Sequence, residues 1–189
     1  MPSLAATAAQ NGRDVVLLDT DSQCTSATWA TDREQSNVPA VPCVQRTGNI
    51  TATVKELATK YELVIIDAGG HDATGLRSGL VAADLVITPF KPSQADFDTV
   101  YQLNDVIGQA KDFNDKLKSV ALLTMCPTHH ANTEIQDARD YLADHIKVLD
   151  CVIHDRKAYR DALSMGLSVT EHTDKKAKDE INELIKAVI

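Results

Sequence analysis

Aromatic residues are scarce in this chain of 189 residues, at 4%. Any core must therefore be built from Val, Ile, Leu and Ala, which suits buried parallel strands covered by helices. The cysteines, Cys24, Cys43, Cys126 and Cys151, include no CxxC pair. That spacing argues against a disulfide framework or a zinc site and reads as scattered thiols in a reducing cytoplasm. No stretch approaches the roughly 18 to 20 continuous apolar residues of a membrane span. The N-terminus has no charged-then-apolar layout, which argues against a secretion signal. Basic excess is lacking too: the formal net charge is −8, which argues against a protein that coats nucleic acid over its whole surface. Repeats, low-complexity tracts and obvious linkers are absent, so residues 1–189 read as a single domain.

What is present alternates between two periodicities. Short apolar runs at Asp14–Asp19, Leu63–Asp67, Asp84–Pro89, Ser119–Thr124 and Val148–Ile153 read as buried strands. Val38–Val44 reads as an extended edge piece, because its prolines cannot donate to a ladder. Helical patterns fall between them, at 3–10, 25–33, 49–60, 74–83, 93–111, 133–145, 156–165 and 174–188. Asn11-Gly12 supplies a stop after the first helix, Ser93 a cap for the long one, and Gly166 a close for the helix before it. In the last helix, Ala177, Ile181, Leu184 and Ile185 are expected to face inward. Strand–helix alternation predicts an α/β fold: a mostly parallel β-sheet flanked by helices on both faces.

Two segments carry chemistry. Asp19-Thr-Asp-Ser-Gln23 ends the first apolar strand, where ligands bind in open α/β sheets. Its two carboxylates can face a hard cation and a water; by spacing alone they can equally be solvated acids at a polar strand end. Leu63-Val-Ile-Ile-Asp67-Ala-Gly-Gly70 resembles the Walker B strand of phosphate-loop enzymes, whose acid sits beside Mg²⁺ and whose glycines let backbone approach a terminal phosphate. Arg156, Lys157 and Arg160, with Lys175, Lys176 and Lys178, could form a basic face for DNA phosphates; balanced by Asp174, Asp179 and Glu180, they could also be an ordinary solvated face. His129-His130 fits no zinc spacing and reads as a polar loop. Trp29 reads as a packing anchor. No Ser/His/Asp arrangement has local support.

Taken together, the segments resemble the ParA/MinD-type deviant Walker ATPases. Val15–Gln23 with Ser26-Ala-Thr-Trp29 looks like that family's "hhhhDxDPQ…W". Tyr61–Asp67 looks like "YDhhhID", Asp84–Phe97 like "aDhhhhPhxPSxxDh", and Arg160–Glu171 like the closing "A…G.SV.E". The order and spacing agree along almost the whole chain, most closely with small plasmid partition proteins that lack an N-terminal DNA-binding extension. Ser22 stands where the family has proline, and Ala68-Gly69-Gly70 where Cys-Pro-Pro is common.

The resemblance implies ATP and Mg²⁺ as cofactors. It gives Asp19 and Asp67 to the metal, Asp21 to orienting the attacking water, and Gly69 and Gly70 to a switch near the terminal phosphate. Ser3, Thr124 and Met125, and Ser168 fall at nucleotide-side positions, the last in a loop closing over the base. It also implies ATP-dependent homodimers, nonspecific DNA binding through Arg156, Lys157, Arg160, Lys175 and Lys176, a centromere-binding partition protein as partner, and a cytoplasmic, nucleoid-associated location. A MinD-like membrane helix is not expected, because Asp179–Ile189 carries too little positive charge. The family's loop of the form KGGxGK[ST][ST] has no counterpart: the sequence opens at the following helix, and no GxxxxGK[ST] occurs in it. The expectation is therefore a family member truncated at its N-terminus and without meaningful hydrolysis, or, alternatively, a non-hydrolysing interaction module.

Overall fold

The computed structural model describes residues 1–69, 73–129 and 132–189. Gly70 and His130 lie outside the described residues. Along the chain run α1 (Pro2–Gln10), β1 (Val15–Asp19), α2 (Thr25–Glu34), β2 (Cys43–Gln45), α3 (Thr51–Leu57), β3 (Leu63–Asp67) and α4 (Ala73–Ala82). β4 (Leu85–Phe90), α5 (Gln94–Phe97), α6 (Val100–Lys111), β5 (Lys118–Cys126), α7 (Asn132–Ala143) and β6 (Lys147–His154) follow. The chain ends with α8 (Lys157–Ser164), a 3-10 turn at Val169–Glu171 and α9 (Lys175–Val188). The strand pairs are all parallel, giving the expected α/β class with helices against parallel strands.

Two compact units form, one from 1–82 with 157–189 and one from 83–156. In the first, the strand order is β2-β1-β3. All five residues of β1 are buried, as a central strand covered on both faces requires. Val16 and Leu18 pack with Ile50, Val54 and Leu57 of the α3 region. Val15 and Leu17, one pleat out of phase, face the other way, and α1 and α2 also pack on β1. β2 is an edge strand of this sheet, as the prolines just ahead of it, Pro39 and Pro42, lead one to expect. It begins only after Pro42, whose carbonyl accepts a hydrogen bond from the Leu17 N–H. α9 starts where the Asp174 side chain accepts from the Ala177 N–H, and the four residues expected inward are buried, together with Glu180, whose carboxylate accepts from the Tyr159 hydroxyl.

In the second unit the order is β4-β5-β6. Ala121 and Leu123 of β5 pack with Val100, Ala138, Leu142 and Ile146. The helix expected over 93–111 is interrupted between α5 and α6. Ser93 caps α5 as expected, accepting from the Asp96 N–H. At the break the Thr99 hydroxyl and N–H both donate to the Asp96 carbonyl, at 2.6 and 3.1 Å, the acceptor that a continuous helix would offer the Val100 N–H. Among the described residues, no helix is long and apolar enough to cross a membrane.

Leu123 is fully buried at the centre of this second core. Leu123→Ala is expected to destabilise the unit by about 2–5 kcal/mol through lost transfer energy and a residual cavity, read as a lowered midpoint in urea unfolding.

Candidate functional site: an acidic strand edge and the loop tied to it

β1 and β3 pair in register along their whole length, so Asp19 lies directly opposite Asp67. Parallel strands emerge on the same side, and both carboxylates therefore stand at one sheet edge. Asp19 is buried. Its Oδ1 accepts from the Asp21 N–H at 3.0 Å and its Oδ2 from the Ala27 N–H at 2.9 Å, in the first turn of α2. The Asp67 carboxylate accepts from the Ser26 hydroxyl. Thr20, also buried, donates through both its N–H and its hydroxyl to the Asp67 carbonyl.

Asp21 folds back in a short turn, its Oδ1 accepting from the Gln23 N–H. A Cβ built on Gly69 would lie 2.6 Å from the Asp21 Cγ, so any larger residue there would push the Asp21 carboxylate out of its present place over this backbone. The structure thus brings Asp19, Asp21, Asp67 and Gly69 together in the first unit. The edge is electronegative. The half-buried Cys43 thiol is pushed up to about 11, first by burial and then by the Asp19 charge, against a hydrogen bond to the Asp19 backbone that lowers it, with smaller raising contributions from Asp67 and Cys24. Among the described residues no group of three or more His, Cys, Asp or Glu could by itself hold a metal.

The other expected site residues are placed differently. Ser3 is in the first turn of α1, and its carbonyl accepts from the Thr7 and Ser168 hydroxyls. Ser168 is fully buried and caps the 3-10 turn. Its hydroxyl accepts from the Thr170 N–H while the Glu171 carboxylate accepts from the Ser168 N–H, a reciprocal capping box. Thr124 and Met125 belong to the second unit, where Met125 has φ 51 and is half exposed. Arg156 closes that unit. Lys157, Arg160, Lys175 and Lys176 are exposed in the first unit, with Lys157 3.4 Å from Asp161.

The cluster that sequence reasoning missed centres on Arg33, which is fully buried. Its Nε donates to the Pro39 carbonyl at 2.7 Å and its Nη1 to the Gly166 carbonyl at 3.2 Å. Nη1 and Nη2 grip the two Glu171 oxygens at 2.8 and 2.7 Å, a bidentate fork that lysine cannot reproduce. Trp29 is buried, as expected of an anchor, and its indole N–H donates to the Leu167 carbonyl at 3.1 Å. The Arg33 guanidinium lies 5.2 Å from its ring centre. Gly166 has φ +67, and a Cβ there would lie 2.5 Å from the Arg33 nitrogen, so the loop can approach α2 only as glycine.

Burial alone would raise the Glu171 carboxyl. The hydrogen bonds from Arg33 and the Ser168 N–H, with the Arg33 charge and Gln10, outweigh it and hold the group below the ordinary 4.5. A carboxyl depressed in the fold contributes stability that is present above the unfolded value and lost as pH falls through the folded one. Glu171→Gln is expected to cost about 3–5 kcal/mol at neutral pH, since it strands a buried guanidinium. The gap from the wild type should narrow as pH falls below 4.5, which denaturant titrations across pH will measure.

Comparison with known proteins agrees with this architecture. The "maintenance of carboxysome distribution protein A" of Halothiobacillus neapolitanus is 26% identical over 192 residues, covering 99% of this chain and 88% of that protein. The ParA family protein MG470 of Mycoplasma genitalium is 28% identical over 79 residues, 42% of this chain; the match spans only 29% of that protein's length. Among solved structures, apo McdA from Cyanthece superposes with a TM-score of 0.76 at 12% identity, over 100% of this chain and 94% of the other. Cobyrinic acid a,c-diamide synthase from Mycobacterium smegmatis, solved with an ATP analog and magnesium, gives 0.73 at 19%, over 99% and 86%. The Aquifex aeolicus MinD cell division protein gives 0.68 at 13%, over 98% and 87%. These structural likenesses establish the fold. The family model of the ATPase MipZ matches residues 7–115, more than half of the chain, and the chain accordingly belongs to that family, within the ParA/MinD-type deviant Walker ATPase superfamily.

Proposed function

We propose that the chain serves DNA segregation as a ParA-type partition protein whose acidic edge takes the metal side of Mg²⁺–ATP, and that in this form it does not hydrolyse nucleotide at a meaningful rate. The observation that carries the reading is the register of Asp19 against Asp67, with Asp21 leaning over Gly69.

The donor set fits Mg²⁺, which keeps several waters and needs only one or two carboxylates rather than a protein cage. When bound, Mg²⁺ would supply charge neutralisation at phosphate oxygens. Asp67 would hold it through water. Asp19, whose oxygens already accept two backbone N–H groups, would support it from one shell further out by fixing the start of α2. Asp21 would orient a water. The phosphate side does not fit as well: backbone N–H groups and a lysine normally wrap the phosphates, and the sequence contains no GxxxxGK[ST] to provide them. No hydrolytic step follows from these residues.

Lys157, Arg160, Lys175 and Lys176, with Arg156, supply cations for nonspecific contact with DNA phosphates. A homodimer, a centromere-binding partner and a nucleoid-associated cytoplasmic location complete the reading. The second reading, a non-hydrolysing interaction module, rests on the same missing cradle.

Calorimetry separates the two. Mg²⁺–ATP should give heat with a version carrying a KGGxGK[ST][ST] loop ahead of Met1, and little with the chain itself; Asp67→Asn should remove the Mg²⁺ dependence. Silence from both versions sinks the nucleotide reading in favour of the interaction module. For DNA, Lys175→Ala with Lys176→Ala should weaken binding similarly for all sequences. The pair should also reduce the slope of log K against log salt by about 1.8, or about 0.9 for each phosphate no longer neutralised.

A further inference from the structure

We propose that α2 is a rigid tie between the acidic edge and the 166–171 loop, with Arg33 and Glu171 as positioning residues that make a change at either end felt at the other. Its purpose rests on reading the edge as the nucleotide site; the coupling itself rests on geometry.

Both ends of α2 are held by partners outside the helix. At its start, the Ala27 N–H donates to Asp19 and the Ser26 hydroxyl to Asp67. Toward its end, Trp29 donates to Leu167, and Arg33 reaches Pro39, Gly166 and Glu171. From Ser26 to Arg33 lie about two turns of helix, roughly 10 Å at 1.5 Å per residue. A packed rod of that length transmits displacement rather than absorbing it.

The helix has little stability of its own. Its ten residues, TSATWATDRE, include three threonines and a serine, all weak helix formers. Cys24, at its N-cap, has φ 53 and makes no side-chain cap bond. Isolated helices this short are marginal. The end contacts therefore set where α2 sits, and loosening one set frees the other.

The loop is equally committed. Glu171 closes the cap on Ser168 and accepts from the Gln10 amide, while Thr7 lies within hydrogen-bond distance of both Ser168 and Thr170. Gly166 permits the close backbone approach that makes the Arg33 bonds possible. An arginine buried this way stabilises little compared with an apolar residue of similar size. Its distinctive property is that one planar group fixes three chain segments in a single geometry.

Native-state hydrogen exchange tests the coupling without nucleotide. Arg33→Lys keeps the charge but loses the fork. Its Ser168 and Ala27 amides should both exchange about tenfold or more faster than in the wild type, while the Leu17 amide, bonded to Pro42 in the same unit, should be unchanged. Acceleration of Ser168 alone would mean a local clasp and would overturn the proposal, as would equal acceleration of all three amides, the mark of general destabilisation. Should Arg33→Lys not fold, Ser26→Ala is read from the opposite end. The Ser168 amide and the resonance of the lone indole, Trp29, should shift, and no shift in either overturns the coupling. If Mg²⁺–ATP binds neither the chain nor its loop-bearing version, the nucleotide reading fails while these exchange results stand.

Discussion

Parallel pairing of β1 with β3 places two carboxylates at one level of one sheet edge, and much of the first unit follows from that placement. Asp19 and Asp67 are directly opposed, and like charges at close range repel in a medium that screens poorly. Their neighbourhood answers with donors: two backbone N–H groups for Asp19 and the Ser26 hydroxyl for Asp67. Two of those donors come from the start of α2. The helix must therefore begin where it does, which in turn fixes where Trp29 and Arg33 lie three and seven residues after Ser26.

The consequence is a path of strong, short-range interactions from the edge to the loop ahead of α9. Each link uses a residue suited to it. A short hydroxyl reaches a carboxylate, a guanidinium fork spans a carboxylate and two carbonyls, and a glycine gives the loop room. The raised Cys43 thiol reports the same edge from the β2 side: burial comes first, but the Asp19 charge adds to it. An edge of that sign suits a cation with its own waters and leaves anionic phosphates in need of donors from elsewhere.

How much of this could be read from the residues varies with the range of the interaction. The strands, their acidic ends and the inward face of α9 were legible because periods of two and 3.6 are local properties. Gly69 was legible as part of a strand-ending motif. The break between α5 and α6 was not, since neither glycine nor proline marks it in the sequence. Ser168 was placed at a nucleotide-side position, yet its hydroxyl is turned inward to its own cap and to α1. Arg33 gave no signal at all: it sits in a polar stretch that reads as an exposed helix end, and its carboxylate partner is 138 residues away.

The amino-acid order by itself determined the α/β class, the strand ends that carry Asp19, Asp21 and Asp67, and the family likeness, because apolar periodicity and strand-terminal acids are written within windows of a few residues. Only the tertiary structure decided that Asp21 overlies Gly69, that Ser168 is a cap, and that Arg33 is a buried clamp on Glu171. Those outcomes require segments distant in sequence to be held within hydrogen-bond distance, and the free energy that holds them is spread over the whole packed unit.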